Sequence, residues 1–280
     1  MSEPAQIKHQ PRHDNLKNEH RAVSAAPVDA RVRHQIVSFG GGTNSTAMLI
    51  EMARRSEQVD AIVFADTGGE RPDTYRHVKE FSGWLTARGY PAIETVRNDG
   101  IHASLEAECL TNRRLPSAAF GFASCSDKYK RRPFQKWLKR KGLENVTVCI
   151  GFDADEPKRA TAGAKAKDPY QKRYPLIEWN MGRAACVETI RSAGLELPGK
   201  SSCFFCPNMK RHEILKLHAE YPCLLARALE IENNAEADSI VGLGRGWTWR
   251  KFIAAHESQA DLFSGYPDSY SVMPCVCFDG

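Results

Sequence analysis

The chain of 280 residues lacks a long hydrophobic run. None of its segments approaches the ~18 consecutive apolar residues that a membrane-spanning helix needs, and no apolar signal segment follows Met1. Histidine occurs nine times but never in the H-E-x-x-H array of many zinc enzymes. These absences disfavour a membrane protein and a histidine-based metal centre, and they predict a cytoplasmic protein with no membrane partner.

Neither sign of charge dominates the chain. The 39 Lys and Arg residues and 34 Asp and Glu residues leave a net charge of +5, which suits an anionic ligand but does not by itself indicate nucleic acid. Cysteine, in contrast, is abundant, with nine copies. Because this number is odd and no signal segment is apparent, it disfavours a disulfide framework and favours metal ligands or reactive thiols.

The chain divides into three parts by its patterning. Residues 1–33 are polar and aperiodic, which predicts a flexible arm. Short apolar strands then alternate with amphipathic helices, a pattern that predicts a parallel sheet with crossover helices on both faces. Helical patterns dominate afterwards. We therefore expect an α/β domain over residues 34–175, and a mostly helical, cysteine-rich region over residues 176–280.

Three consecutive glycines, Gly40–Gly42, separate the first predicted strand from the first predicted helix. The strand ends at Ser38 and Phe39, and the helix begins near Ser45. Glycines let main-chain N–H groups approach an anion, and the helix N-terminus adds a favourable dipole. The lysine that a P-loop requires is absent from this loop, and so is the G-x-G-x-x-G of dinucleotide-binding folds. The pattern therefore predicts a phosphate site of another kind.

The loop sequence GGGTNS resembles the S-G-G-x-D-S loop of the PP-loop adenine nucleotide alpha hydrolase-like superfamily, which includes phosphoadenosine phosphosulfate (PAPS) reductase-like proteins. Gly41 and Gly42 match its glycines, and Ser45 matches its last serine. Gly40 stands where the family has a serine hydroxyl, and Asn44 stands where it has a carboxylate. The resemblance implies a Rossmann-like α/β fold that binds ATP or another adenine nucleotide. Mg²⁺ is a further expected cofactor, although an amide is a weaker Mg²⁺ ligand than a carboxylate.

Two later segments extend the resemblance over about residues 35–210. FADTGGERPDTY resembles the family's second strand and the loop after it, which places Asp66 and Thr67 at the carboxyl edge of the sheet, where open α/β sheets bind ligands. IGFDADEPKRA resembles the family's G-x-R-x-x-E-S-x-R element, and its arginine implies a forked contact to phosphate or sulfate. The residues expected to bind the nucleotide are Ser38, Phe39, Gly40, Gly41, Gly42, Thr43, Asn44, Ser45, Asp66, Thr67, Gly151, Glu156 and Arg159.

Several cysteines stand in patterns typical of metal ligands. Cys203 and Cys206 form a C-x-x-C, a spacing that lets two thiolates hold one metal ion or one edge of a cluster. Cys275 and Cys277 form a second pair, and Cys125 precedes a basic helix, a setting that favours its thiolate. The remaining cysteines are expected to be packing residues: Cys109, Cys149, Cys186 and Cys223.

The adenylylsulfate reductase branch of the family holds a 4Fe–4S cluster with an early cysteine pair and a later C-x-x-C. The resemblance implies such a cluster here, although only one cysteine of the early pair is present. Its expected ligands are Cys125, Cys203 and Cys206, with Cys275, Cys277 or an open iron position as the fourth. The alternative is a structural zinc site held by Cys203, Cys206, Cys275 and Cys277, because thiolates suit both metals.

Two enzyme chemistries follow from the resemblance, with Cys125 and Asp66 as the expected catalytic residues. The favoured one is sulfur transfer of the kind found in tRNA thiolation and DNA phosphorothioation, in which ATP adenylylates an oxygen and sulfur then displaces AMP. The alternative is a sulfonucleotide (PAPS or adenylylsulfate) reductase, but its E-C-G-x-H motif is absent from this sequence. A second alternative is a non-catalytic nucleotide-binding module with a structural zinc.

The expected partners follow from the favoured chemistry. They are an adenine nucleotide, a sulfur-donor protein and a nucleic-acid substrate. The basic run KYKRRPFQKWLKRKG, residues 128–142, is compatible with a nucleic-acid face and equally with a solvated amphipathic helix that turns Trp137 inward.

Overall fold

The computed structural model describes residues 34–164, 167–236 and 240–263. The predicted flexible arm lies outside these ranges, and so do Cys275 and Cys277. Among the described residues, no helix is both long enough and apolar enough to cross a membrane.

Five parallel strands form the centre of the fold. They are β1 His34–Phe39, β2 Ala61–Asp66, β3 Ile93–Arg97, β4 Val146–Ile150 and β5 Gln171–Arg173. They pair in the order β3-β2-β1-β4-β5. The sequences AIVFAD of β2 and VTVCI of β4 are apolar and rich in β-branched residues, as expected of strands that are covered on both faces.

Helices connect the strands and make up most of the second half of the chain. They are α1 Thr43–Arg54, α2 Pro72–Thr86, α3 Leu105–Thr111, α4 Ser124–Ser126, α5 Arg132–Arg140, α6 Pro157–Ala164, α7 Pro175–Glu178, α8 Arg183–Ser192, α9 Arg211–Glu220, α10 Pro222–Asn234 and α11 Trp249–Phe263. A single π-helical turn, Asp127–Arg131, joins α4 to α5.

Helices cover both faces of the sheet. On one face, α1, α2 and α8 contribute Met48, Phe81 and Ile190 to a core that they share with β1 and β2. On the other face, α5 contributes Phe134 and Trp137 to a second core. Successive strand residues alternate between these two cores because side chains alternate across a strand. This arrangement confirms the predicted α/β class with crossover helices on both faces.

A third core holds the mostly helical part of the chain together. Helices α3, α9, α10 and α11 pack around Phe204, Phe205 and Trp249, which are fully buried. Helix α8 follows the predicted boundary at residue 175, yet it packs against α1 in the sheet domain. The boundary itself stays a prediction.

The strand order reverses at β1, which has β2 on one side and β4 on the other. In open α/β sheets, ligands bind at the carboxyl ends of the strands at such a reversal. The glycine loop follows β1, and Gly151 follows β4. The topology therefore brings two of the segments predicted to bind nucleotide to the same point of the sheet.

A buried carboxylate fixes the start of α11. Glu232, on α10, is 8% exposed and accepts three backbone hydrogen bonds, from Leu243 N at 2.8 Å, Trp249 N at 2.9 Å and Arg250 N at 3.0 Å. An anionic side chain at a helix N-terminus satisfies N–H groups that have no partner within the helix. Glu232 therefore joins α10, the preceding loop and α11.

We predict that Glu232→Gln lowers the free energy of unfolding by about 1–3 kcal/mol, because the amide keeps only one acceptor oxygen and turns donors toward N–H groups. Glu230→Gln is the matched control, since Glu230 is exposed on the same helix. Urea denaturation measures both variants. Equal stability of the two variants would contradict the capping role of Glu232.

Candidate nucleotide and cysteine site

The glycine loop is a tight turn that opens onto the start of α1. Gly41 has a φ of +73°, in the left-handed region that favours glycine, and a Cβ on it would lie 3.2 Å from Thr74 Cγ2. Ser45 Oγ donates to Gly42 O at 3.1 Å and accepts from Gly40 N at 3.3 Å. No side chain of the described ranges caps α1 at Gly42. The first N–H groups of α1 are therefore oriented as in an anion site.

Two other segments hold this loop in place. After β4, a Cβ on Gly151 would lie 2.9 Å from the backbone N and Cα of Ser45, so only glycine permits this close approach. From the opposite direction, Ser201 Oγ donates a hydrogen bond to Gly40 O. Ser201 lies two residues before the C-x-x-C. The loop is thus bound to β4 and to the cysteine segment.

The side chain of Asn44 is fully engaged. Its Nδ2 donates to Asp153 Oδ2 at 2.7 Å and to Glu156 Oε2 at 3.3 Å. Its Oδ1 accepts from Arg183 Nη1 at 2.8 Å, and Arg183 Nη2 donates to Thr43 Oγ1 at 3.0 Å. An Asp at position 44 would place its carboxylate against those of Asp153 and Glu156 and would have no N–H group to donate to them. The departure from the family's Asp therefore has a physical reason in this chain.

Arg159, the arginine predicted from the sequence, does not contact the loop. Its guanidinium pairs with Glu156 and lies 4.4 Å from the centroid of the Phe152 ring. The arginine on the loop is Arg183, at the start of α8. It is 139 residues away from Asn44, and no sequence motif connects the two. The phosphate contact of Arg159 stays a prediction.

Asp66 organises the loop that follows β2. It is 1% exposed and accepts hydrogen bonds from Gly68 N at 2.8 Å, Tyr75 Oη at 2.9 Å and Arg97 Nε at 2.8 Å. Burial, followed by the hydrogen bond to Asp66, raises the pKa of Tyr75 and keeps its hydroxyl protonated. Asp66 is thus an anchor with both oxygens engaged. A catalytic role for it stays a prediction and requires the release of one of these bonds.

The loop after β2 contacts the C-x-x-C segment directly. Thr67 Oγ1 lies 3.1 Å from Cys203 Sγ, and Phe204 N donates to Gly69 O at 2.8 Å. Thr67 is among the residues predicted to bind nucleotide, and Cys203 is among the predicted metal ligands. The structure therefore brings these two sets of residues into contact.

Four of the seven cysteines in the described ranges gather beside this contact. Cys203 is buried, Cys206 and Cys125 are half-buried, and all three belong to or pack on the third core. Cys109, predicted to be a packing residue, is buried in the same core. Burial, followed by the charge of Glu70, raises the pKa of Cys203 to about 12.

Thiolates are suitable metal ligands, but the described residues do not provide a complete set of ligands for one metal ion. In residues 34–164, 167–236 and 240–263, no three His, Cys, Asp or Glu side chains are placed to hold a metal ion. Cys275 and Cys277 lie outside these ranges. Both the iron–sulfur and the zinc assignments therefore stay predictions.

A lysine that the sequence did not single out faces the cysteine pair. Lys130 lies on the π-helical turn, with Nζ 3.2 Å from Glu70 Oε1. Burial lowers the pKa of Lys130, but the carboxylate of Glu70 and the nearby Cys203 outweigh burial and raise it overall. The charge of Lys130 lowers the pKa of Cys203, but burial and the charge of Glu70 outweigh it.

The basic run over residues 128–142 is largely neutralised within the protein. Six of its eight Lys and Arg residues pair with carboxylates. Trp137 faces inward at 5% exposure, and its Nε1 donates to Glu94 at 2.9 Å. This pairing favours the solvated amphipathic helix over a nucleic-acid face. The pairs are Lys128–Glu108, Lys130–Glu70, Arg131–Asp127, Arg132–Asp127, Lys136–Asp99 and Lys141–Glu94.

A cavity of about 590 Å³ opens beside two of the cysteines. Cys109 and Cys125 both line it, together with apolar walls from Leu105, Leu115 and Phe120. The charged lining residues mostly pair with one another, as Lys128 does with Glu108 and Arg132 with Asp127. The part of a ligand that occupies this cavity is therefore expected to be uncharged.

The segment GLELPGKS, residues 194–201, matches the G-x-x-x-x-G-K-S pattern of a P-loop. A working P-loop follows a strand and begins a helix. Here the segment follows α8, and no helix begins until Arg211. Its lysine, Lys200, pairs with Glu213 at 2.6 Å. The match is therefore a coincidence of sequence, and the loop after β1 stays the predicted phosphate site.

Comparison with known proteins gives partial likenesses. No family model matches the chain. An uncharacterised nin region protein of Escherichia phage lambda is 34% identical over 143 aligned positions, and the match covers 44% of this chain and 49% of that protein. An uncharacterised protein of Methanocaldococcus jannaschii is 24% identical over 231 aligned positions, and the match covers 76% of this chain and 44% of the relative. The chain thus spans about half the length of the curated relatives it matches.

Solved structures of similar fold include two enzymes. A phosphoadenylyl-sulfate (PAPS) reductase from Candida auris, in complex with phosphate, has a TM-score of 0.44 and 16% identity over 59% of this chain and 75% of its own. The U34-tRNA thiolase NcsA from Methanococcus maripaludis, with its 4Fe–4S cluster, has a TM-score of 0.46 and 13% identity over 79% and 81%.

We predict that Asn44→Asp lowers the free energy of unfolding by about 2–4 kcal/mol at neutral pH, because two hydrogen bonds are replaced by like-charge contacts. The two carboxylates of Asp153 and Glu156 raise the pKa of the new Asp in the folded state and outweigh the single guanidinium of Arg183, so the folded state binds more protons than the unfolded one. The penalty should therefore shrink as the pH falls toward about 4 and grow as it rises.

Urea denaturation of the variant across this pH range measures the effect. Asn208→Asp is the control, because Asn208 Oδ1 accepts a hydrogen bond from Arg245, which a carboxylate keeps. A penalty at position 44 that does not change with pH would contradict the proposed carboxylate contacts.

Proposed function

We propose that the protein is a PP-loop enzyme that binds an adenine nucleotide at the glycine loop and transfers sulfur to an activated acceptor. One observation carries this proposal: the glycine loop and the C-x-x-C segment are in direct contact. Ser201 bonds to Gly40, and in the neighbouring loop after β2 Thr67 Oγ1 lies 3.1 Å from Cys203 Sγ. An activated acceptor at the loop would therefore lie close to the thiols.

The nucleotide phosphates bind the backbone N–H groups at the start of α1. The left-handed Gly41 and the close approach of Gly151 keep side chains out of this region, so the phosphates can reach the backbone. The N–H groups and the helix dipole stabilise negative charge, including the charge that develops on a departing pyrophosphate.

The proposed reaction has two displacement steps. An acceptor oxygen attacks the α-phosphorus of ATP, the bond from that phosphorus to the bridging oxygen breaks, and pyrophosphate leaves. Sulfur at the sulfide level then attacks the carbon that bears this oxygen, the C–O bond breaks, and AMP leaves with the bonding electrons. No oxidant or reductant is consumed when the donor is sulfide.

The cysteines supply the sulfur side of the site. Cys203 and Cys206, with Cys125 nearby, would hold an iron–sulfur cluster, which when bound offers iron to a sulfide donor. Lys130 places a positive charge beside them, which favours anionic thiolate ligands. A zinc ion on the same thiolates is the competing assignment, and it would leave the site structural.

The acceptor enters the cavity of about 590 Å³ beside Cys125. Its apolar walls and mutually paired charges suit a planar, uncharged ring, and its volume lies within the range of ligand pockets. A nucleobase has this chemistry, which supports a nucleic-acid acceptor. Arg114, on the same lining, is positioned to meet the attached phosphate.

Anaerobic purification tests the metal assignment. We expect a brown protein that contains iron and acid-labile sulfide and absorbs at about 400 nm. Cys203→Ser should lower the iron content several-fold, because a hydroxyl is a poor ligand for iron in a cluster. Cys223→Ser should retain it, because Cys223 is exposed on α10. A colourless protein that contains one zinc per chain would contradict sulfur transfer from a cluster.

Release of pyrophosphate and AMP from ATP tests the enzyme itself, with sulfide as the donor and either bulk tRNA or denatured DNA as the acceptor. We expect Ser45→Ala to lower both rates about tenfold, because Ser45 Oγ joins Gly40 to Gly42 within the loop. Sulfite release from PAPS would favour the reductase instead. Tight nucleotide binding without any product would favour a non-catalytic module.

A further inference from the structure

The carboxylates of Asp153 and Glu156, beside the glycine loop, accept hydrogen bonds on all of their oxygens. Asp153 is 2% exposed; its Oδ2 accepts from Asn44 and its Oδ1 from Asp155 N at 3.0 Å. Glu156 accepts from Asn44 through Oε2 and from Arg159 through Oε1. Every oxygen of these two side chains therefore already has a protein donor.

A third carboxylate fixes an arginine against the loop. Asp155 Oδ2 accepts from the backbone N–H of Arg183 at 2.7 Å, which sets the start of α8. From this position the guanidinium of Arg183 donates to Thr43 Oγ1 and Asn44 Oδ1. Thr43 and Asn44 are the first two residues of α1, so the arginine lies beside the N–H groups that face an anion.

These contacts do not fit the expected Mg²⁺ ion at the loop. The oxygen through which Asn44 could bind a cation, Oδ1, already accepts from a cationic guanidinium. A divalent cation beside Arg183 would be repelled by it. An arginine, in contrast, offers five N–H donors in a planar fork, of which the two bonds to the loop use two.

We infer that Arg183 is a phosphate-binding residue of the glycine loop, and that the loop binds the polyphosphate of a nucleotide without a metal ion. This inference rests on the proposed nucleotide site and identifies the guanidinium of Arg183 as the positive charge that binds the phosphates there. Asn44 is then a positioning residue: its amide joins two carboxylates to the arginine and keeps the arginine on the loop.

Calorimetry tests the inference. It measures the affinity of the purified full-length chain for ATP, ADP, AMP and adenosine, first in EDTA and then in Mg²⁺. Arg183→Met removes the charge, and Arg183→Lys keeps the charge without the fork. Arg54→Met is the matched control, because Arg54 lies at the opposite end of α1 and pairs with Glu51 and Ser192.

We expect Arg183→Met to weaken ATP binding by about tenfold to a hundredfold, since charge-assisted hydrogen bonds are lost. The loss should shrink from ATP to AMP and vanish for adenosine, while Arg183→Lys should be intermediate. The unsubstituted protein should bind ADP with affinities in EDTA and in Mg²⁺ that agree within about threefold. Arg54→Met should bind as the unsubstituted protein does.

Three other results would overturn the inference. An equal loss for all four ligands, adenosine included, would mean that Arg183 only supports the loop. Binding that requires Mg²⁺ would mean that a metal ion supplies the charge. Failure of the unsubstituted protein to bind any nucleotide would overturn the proposed function itself, and this outcome is distinguishable because it needs no variant.

Discussion

The amide of Asn44 joins the glycine loop to two segments that each lie more than 100 residues later in the chain. It donates to two carboxylates after β4 and accepts from an arginine at the start of α8. Only a side chain that both donates and accepts can do this. The position of the glycine loop, the course of the segment after β4 and the placement of Arg183 all depend on this neutral group.

The parts of this protein that the sequence predicted are those governed by local patterns. The strands and crossover helices follow from apolar periodicity, and the glycine loop follows from three adjacent glycines between a strand and a helix. The contact between Thr67 and Cys203 was not predictable, because it joins residues 136 apart through the packing of two loops.

The two arginines illustrate why site residues were harder to predict than strands. Arg159 stood out because it lies a few residues after Gly151 in a recognisable motif. Glu156, one helical turn earlier, captures its guanidinium locally. Arg183 carries no motif, and only the folding of α8 onto α1 brings it to the loop. A local motif therefore drew attention to Arg159, whereas tertiary packing brings Arg183 into contact with the loop.

Because Ser201 donates a hydrogen bond to Gly40, the segment that leads into the C-x-x-C packs directly against the glycine loop. A backbone bond from Phe204 to Gly69 joins the same cysteine segment to the neighbouring loop after β2. A change in the cysteines, such as oxidation or loss of a bound metal, would move the residues against which the loop is built. Nucleotide affinity would then depend on the chemical state of the thiols. The loop would bind its nucleotide with full affinity only when the cysteines are reduced and any metal that they hold is in place.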